Sequence, residues 1–293
     1  MLPGQSFRLL LALAAVVPSV VIARAGPTAG PWDAAGLISR VSERVIAYYQ
    51  RAQRLICTER STVVPLVTDG NVPAFARTVE SELRIEVDGW LEPRIMREVQ
   101  RVNGREPRER DKTDRSGCTD PELVAPELLA FLLPGQRDAY TFTIVGSGRE
   151  RGRAALIIDF GSAERSSRPV LAADERGHDD CFDWTGPIAF RGRLWVDADT
   201  HDVLRLDRYI SGPTDVHVPS RLQTTHHLPP WLTIDRDDVT LRFKPVTFVE
   251  PDETMLLPEA IDSRTVVRTG LQSIRRTQVF SNYRRFLTSS QIK

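Results

Sequence analysis

Cysteine is scarce in this chain, with three in 293 residues, and no Cys-x-x-Cys or Cys/His spacing provides a zinc framework. An excess of either charge is also missing, since 39 Lys and Arg stand against 39 Asp and Glu. Without concentrated positive charge, the bulk electrostatics that hold a protein to nucleic acid are excluded. Beyond residue 25 no apolar run approaches the roughly 20 residues a membrane-spanning helix requires. Repeats and low-complexity tracts are absent. Gly146-Ser147-Gly148 is no nucleophile elbow, and no glycine-rich loop ends in Lys-Ser or Lys-Thr to cradle a phosphate. What is left is an ordinary globular composition, 41% hydrophobic and 27% charged, long enough to bury a sizeable core.

The first 25 residues have the three parts of an export signal. Arg8 is the positive flank, residues 9–22 are apolar, and Ala23-Arg24-Ala25 is a small-x-small cleavage site. The apolar stretch is too short for a span and contains Pro18. The expectation is a signal peptide over 1–25, a single mature domain over 26–293, and a periplasmic or otherwise exported location. In an oxidising compartment two of the three cysteines pair. Cys118 and Cys181 both fall in loop-like segments, whereas Cys57 reads as a small buried group at the start of a strand. Cys118 with Cys181 is therefore the expected disulfide, although sequence does not fix connectivity.

Along the mature chain the hydrophobic period changes once. Leu37, Val41, Val45, Tyr48, Ala52 and Leu55 recur at helical steps, with Asp33 as the N-cap. From residue 79 the period becomes two. Val79, Leu83, Ile85 and Val87 alternate with polar neighbours, and Ser81 is the one polar residue in the apolar row. Strand-like runs follow at 94–102, 140–145, 154–160, 188–196, 203–210, 239–248, 264–267 and 273–286. Asn103-Gly104 and residues 197–202 read as hairpin turns. Asp120-Pro121-Glu122 or Pro126 opens a second helix, which runs through Leu128, Leu129 and Leu132 and stops before Pro134. The pattern predicts an α+β, mainly β fold, a strongly bent antiparallel sheet with few helices.

Candidate chemistry is thin. The Asp197 to Asp202 segment lacks the glycine and distal glutamate of a helix–loop–helix calcium site, so it reads as a solvated turn. His178, Asp179 and Cys181 sit close in sequence, but a catalytic thiol needs a base and an orienting group placed in space. His226 and His227, followed by Pro229-Pro230, read as an irregular connection rather than a metal site. No metal and no cofactor is expected.

One hairpin runs Phe190-Arg191-Gly192-Arg193-Leu194-Trp195-Val196-Asp197 and returns through Val203-Leu204-Arg205-Leu206. It resembles a hairpin common in the LolA/LolB-like superfamily of periplasmic carriers, which includes the RseB and LprG relatives. Val102-Asn103-Gly104-Arg105-Glu106-Pro107, Leu257-Pro258-Glu259 and Phe280-Ser281-Asn282-Tyr283-Arg284-Arg285-Phe286 are similar to segments of outer-membrane lipoprotein-sorting-like proteins. The resemblance implies an incomplete barrel whose concave face is covered by the first helix and the short second helix. It also implies a non-enzymatic carrier whose partner is a lipid or an acylated protein. Leu83, Ile85, Leu194 and Val196 are the candidate cavity wall. The charge-rich residues 162–184 depart from a minimal carrier and read as an insertion. The alternative is an envelope interaction or sensor module with a filled core. A third reading, an exported hydrolase, would rest on His178, Asp179 or Cys181.

Overall fold

A computed structural model of the chain describes residues 33–52, 55–66, 76–87, 93–108, 128–162, 168–173, 182–186, 188–250 and 252–285. The first helix, α1 (Ala34–Arg51), starts where Asp33 accepts a hydrogen bond from the Gly36 N–H at 3.0 Å. Leu37, Ile38, Val41, Val45 and Tyr49 form its buried face. It ends earlier than the apolar stripe suggests. Ala52 caps it, and Leu55 opens the strand β1 (Leu55–Pro65), because Leu55 continues the helical step from Ala52 and equally begins the alternation with Cys57 and Glu59.

Strands β2 (Arg77–Val87) and β3 (Pro93–Val102) follow. Asn103 and Gly104 then turn the chain with positive φ, and Asn103 Oδ1 accepts the Thr78 N–H at 2.8 Å. Leu128 and Leu129 are helical and lead into a 3-10 turn at Ala130–Leu132. The chain leaves the helical conformation before Pro134, as expected. Leu133 is extended, and Pro134 then begins a short helix, α2 (Pro134–Arg137), because its fixed φ suits a first helical position.

The remaining strands are β4 (Tyr140–Glu150), β5 (Arg153–Ser162), β6 (Val170–Ala173), β7 (Phe182–Thr185), β8 (Phe190–Asp197), β9 (Val203–Ile210) and β10 (Thr214–His217). After them come α3 (Ser220–His226), β11 (Trp231–Phe248), β12 (Glu253–Val267) and β13 (Ile274–Arg285). The expected irregular connection at the paired histidines is thus corrected. His226 ends α3, and His227 takes the left-handed conformation that terminates a helix. Likewise, the described parts of the presumed insertion form β6 and β7.

All strands join one sheet in the order β3-β2-β1-β13-β12-β11-β9-β8-β5-β4. Pairing is antiparallel except for a single β6–β10 contact. Among the described residues the outer strands β3 and β4 do not pair with each other, so the barrel is incomplete, as the resemblance implies. Register shifts in the β1–β13, β2–β3, β4–β5, β8–β9 and β11–β12 pairs supply bend and twist. β11 is where the sheet forks. Its middle, Asp238 to Arg242, pairs with β9 and its start, Trp231 to Ile234, with β10, which carries β6 and β7 beyond it.

Each branch covers its own core. The main cluster packs Leu37, Val41, Val45 and Tyr49 of α1, together with Leu128, Leu129 and Leu132, against inward residues of the sheet such as Leu206, Leu241 and Ile261. A second cluster joins Leu171, Val216, Val218, Leu222, Leu232 and Ile234 beyond the fork.

Candidate functional site

Beside the far half of α1, a cavity of about 300 Å³ remains. Its floor is apolar, formed by Val45, Tyr48, Leu129, Val203, Phe243, Met255 and Leu256. Tyr48 packs edge-on against Phe243 with ring centroids 6.1 Å apart, and burial pushes its phenol pKa up, so the ring stays neutral. The rim is ionic. Arg44 Nε donates to Asp202 Oδ1 at 2.7 Å, a hydrogen bond that raises the arginine pKa further. Arg51 donates to Glu253 Oε2 at 3.1 Å and to the Thr254 carbonyl at 3.1 Å. Arg285 pairs with the other oxygen of Glu253, so one carboxylate ties α1 to both β12 and β13. Arg153 Nε reaches Asp197 Oδ2 at 2.7 Å.

The β8–β9 turn shapes one edge of this rim. Asp197 is 4% exposed and accepts from the N–H groups of Asp199 and Thr200 and from the Thr200 hydroxyl. Burial alone would raise its pKa, but the Thr200 N–H, Arg153 and the Asp199 N–H outweigh it and hold the carboxyl below its ordinary value. The residues that suggested calcium are thus occupied in closing the turn.

Leu83, Ile85, Leu194 and Val196 all lie on the inner face, 0–6% exposed, in the main cluster with α1. None of them lines the cavity, whose walls come from α1, Leu129, Arg153, the β8–β9 turn and parts of β9, β11 and β12. Cys118, Cys181, His178 and Asp179 fall outside the described residues. Cys57 is free and buried, and burial, followed by the charge of Glu59, pushes its thiol up to about 12. Among the described residues no group of three or more His, Cys, Asp and Glu is placed to hold a metal ion, and no helix is long and apolar enough to cross a membrane.

The rim was not readable in advance. Arg44 and Arg51 flank the apolar stripe of α1 on the cavity side, a signal visible in hindsight. Their partners lie 158 and 202 positions away, which no local pattern connects.

No known family matches the chain, and no curated protein matches it in sequence. Solved structures do resemble it. An outer membrane lipoprotein-sorting protein domain from Vibrio parahaemolyticus is similar at 9% identity over 85% of this chain and 93% of that one, with a TM-score of 0.40. A DUF1329 family protein from Desulfovibrio piger is similar at 11% identity over 88% and 95%, with a TM-score of 0.42. A LolA superfamily protein from Nitrosomonas europaea is similar at 7% identity over 86% and 96%, with a TM-score of 0.30. These include the class of protein that the sequence resembles. Likeness of this degree assigns neither cargo nor partner.

Proposed function

We propose that the protein is an exported, non-enzymatic binder of a lipid or an acylated protein, and that it seats an acyl chain in the cavity beneath α1. The observation that carries this reading is the cavity itself, an apolar floor ringed by paired charges. Its volume is at the small end of the roughly 300–1,000 Å³ typical of ligand sites, which suits one chain rather than a whole lipid. At about 0.8 kcal/mol per buried methylene, eight methylenes contribute about 6 kcal/mol before ordering costs. In this reading Leu83, Ile85, Leu194 and Val196 form a deeper wall, reached by a longer chain only when α1 withdraws from the sheet. Export through residues 1–25, a periplasmic location and a Cys118–Cys181 disulfide belong to the same proposal.

The test is native mass spectrometry of protein purified from the cell envelope, before and after delipidation, with Ala47→Trp as the variant. Ala47 lines the cavity, and an indole there fills it from the helix side. Co-purifying lipid in the parent chain, lost in Ala47→Trp at an unchanged melting midpoint, is the expected result. Equal lipid in both chains, or none in either, sinks the proposal.

The second reading is an envelope interaction or sensor module. It is favoured by the continuous packing of the inner face, where α1 fills the sheet with its own side chains. That reading gains if no acyl chain binds and a protein partner is captured instead.

A further inference from the structure

Near the fork of the sheet the Nε of Arg208 is enclosed without a hydrogen-bond acceptor. Arg208 shares the inner face of β9 with Leu206 and Ile210, which belong to the main and second cores respectively. Phe160, Gly192, Arg208 and Val239 stand opposite one another on β5, β8, β9 and β11. The guanidinium lies over the Phe190 ring, 4.5 Å from its centroid. Its Nε is enclosed and finds no acceptor, and no hydrogen bond or ion pair reaches the group among the described residues. The residue nevertheless keeps partial exposure.

Asp237 is the acid that acts on Arg208, but its carboxylate accepts the Thr265 hydroxyl at 2.9 Å instead of closing an ion pair. An arginine cannot shed its proton to escape burial. An enclosed Nε–H without an acceptor is therefore a standing cost, removed when an oxyanion supplies one.

We propose that Arg208 anchors a second, internal binding site that takes one oxyanion group, a carboxylate or a phosphate. The site is independent of the cavity beneath α1. Val203 lines that cavity and lies five positions earlier on β9, about 17 Å away at ~3.3 Å per residue. The surroundings set the ligand class. With Phe190, Phe160 and Val239 as neighbours, and with one cation already facing the Asp237 carboxylate, the site suits one singly charged group on an apolar body rather than a polyanion. The same chemistry could come from an amphiphile's head or from a free anion, and the probes below separate the two.

The full chain is titrated calorimetrically with laurate, dodecanol, acetate and inorganic phosphate, in the parent protein and in Arg208→Gln, Arg208→Lys and Ala47→Trp. Laurate affinity is expected to fall about tenfold or more in Arg208→Gln, to recover in Arg208→Lys, and to leave dodecanol binding unaffected. Acetate or phosphate binding with the same Arg208 dependence and equal affinity identifies a free anion as the occupant. Weak acetate and phosphate beside strong laurate identifies an amphiphile. Equal laurate, acetate and phosphate binding in the parent and Arg208→Gln, or no anion binding in the parent, overturns the proposal. Ala47→Trp keeps this outcome distinct from failure of the cavity reading, because it blocks the chain-only probe and spares the Arg208-dependent increment. Should Arg208→Gln not fold, the Arg208 Nε–H resonance of the parent decides: it shifts on adding laurate or phosphate, or the site does not exist.

Discussion

Arg97 on β3 reaches across β2 to Glu59 on β1, its Nε donating to the carboxylate at 2.6 Å. The carboxylate is 1% exposed and also accepts from Gln278 Nε2 at 2.9 Å. The strand between them makes this possible. Ser81 is the β2 residue opposite Glu59, and a small side chain there leaves room for the guanidinium to pass. The one polar interruption in the apolar row of β2 is thus explained by two residues on its neighbouring strands.

Removing one partner of this buried pair strands the other. Arg97→Met is expected to cost about 3–5 kcal/mol in urea unfolding, and Arg97→Met with Glu59→Gln clearly less. A double variant as unstable as the single one would show that the ion pair does not secure this edge of the sheet.

The Asp197 turn contributes acid sensitivity. Its folded pKa lies below the ordinary carboxylate value, so its stabilisation is present above that value and is lost as pH falls through the folded one. Asp197→Asn should flatten the acid limb of the stability profile. Asp197→Ala, which leaves two turn N–H groups without their acceptor, should lower stability by about 1–3 kcal/mol near neutral pH. An acid limb unchanged in the asparagine variant contradicts this account.

Gly192 is required by close approach. A Cβ there would collide with the Asp207 carbonyl oxygen and come within 2.6 Å of the Phe160 ring. Backbone cannot yield as a side chain can, so Gly192→Ala should destabilise the protein by about 1–3 kcal/mol or more. A calorimetric melting midpoint within a degree of the parent would show that β8 and β9 can separate freely.

Cys57 should be chemically silent while the chain is folded. Its thiol is 2% exposed and its pKa is pushed up to about 12, so thiolate is negligible at pH 8. Mass spectrometry after N-ethylmaleimide treatment should find Cys57 unmodified in native protein and modified in urea. Rapid native labelling would mean that β1 opens readily to solvent.

Periodicity carries much of this architecture because it is a local property. Apolar residues at steps of three and four mark α1, and alternation at two marks β2, since each pattern follows from backbone geometry alone. The bent, mainly antiparallel sheet was legible in the same way, from strand after strand joined by short polar turns. The end of α1 was not, because Leu55 fits both the helical step from Ala52 and the alternation with Cys57, and neither was α2, where Pro134 starts a helix instead of preventing one.

Only the tertiary structure decided which inward residues meet solvent space and which meet each other. Leu83, Ile85, Leu194 and Val196 alternate as wall residues would, yet α1 covers them, and the open volume lies beside the far half of the helix. The rim pairs Arg44 with Asp202 and Arg51 with Glu253. The fork of β11 leaves Arg208 without an acceptor among the described residues. Such relations join positions far apart in the chain, and their energies depend on distance and burial, which a one-dimensional pattern does not contain.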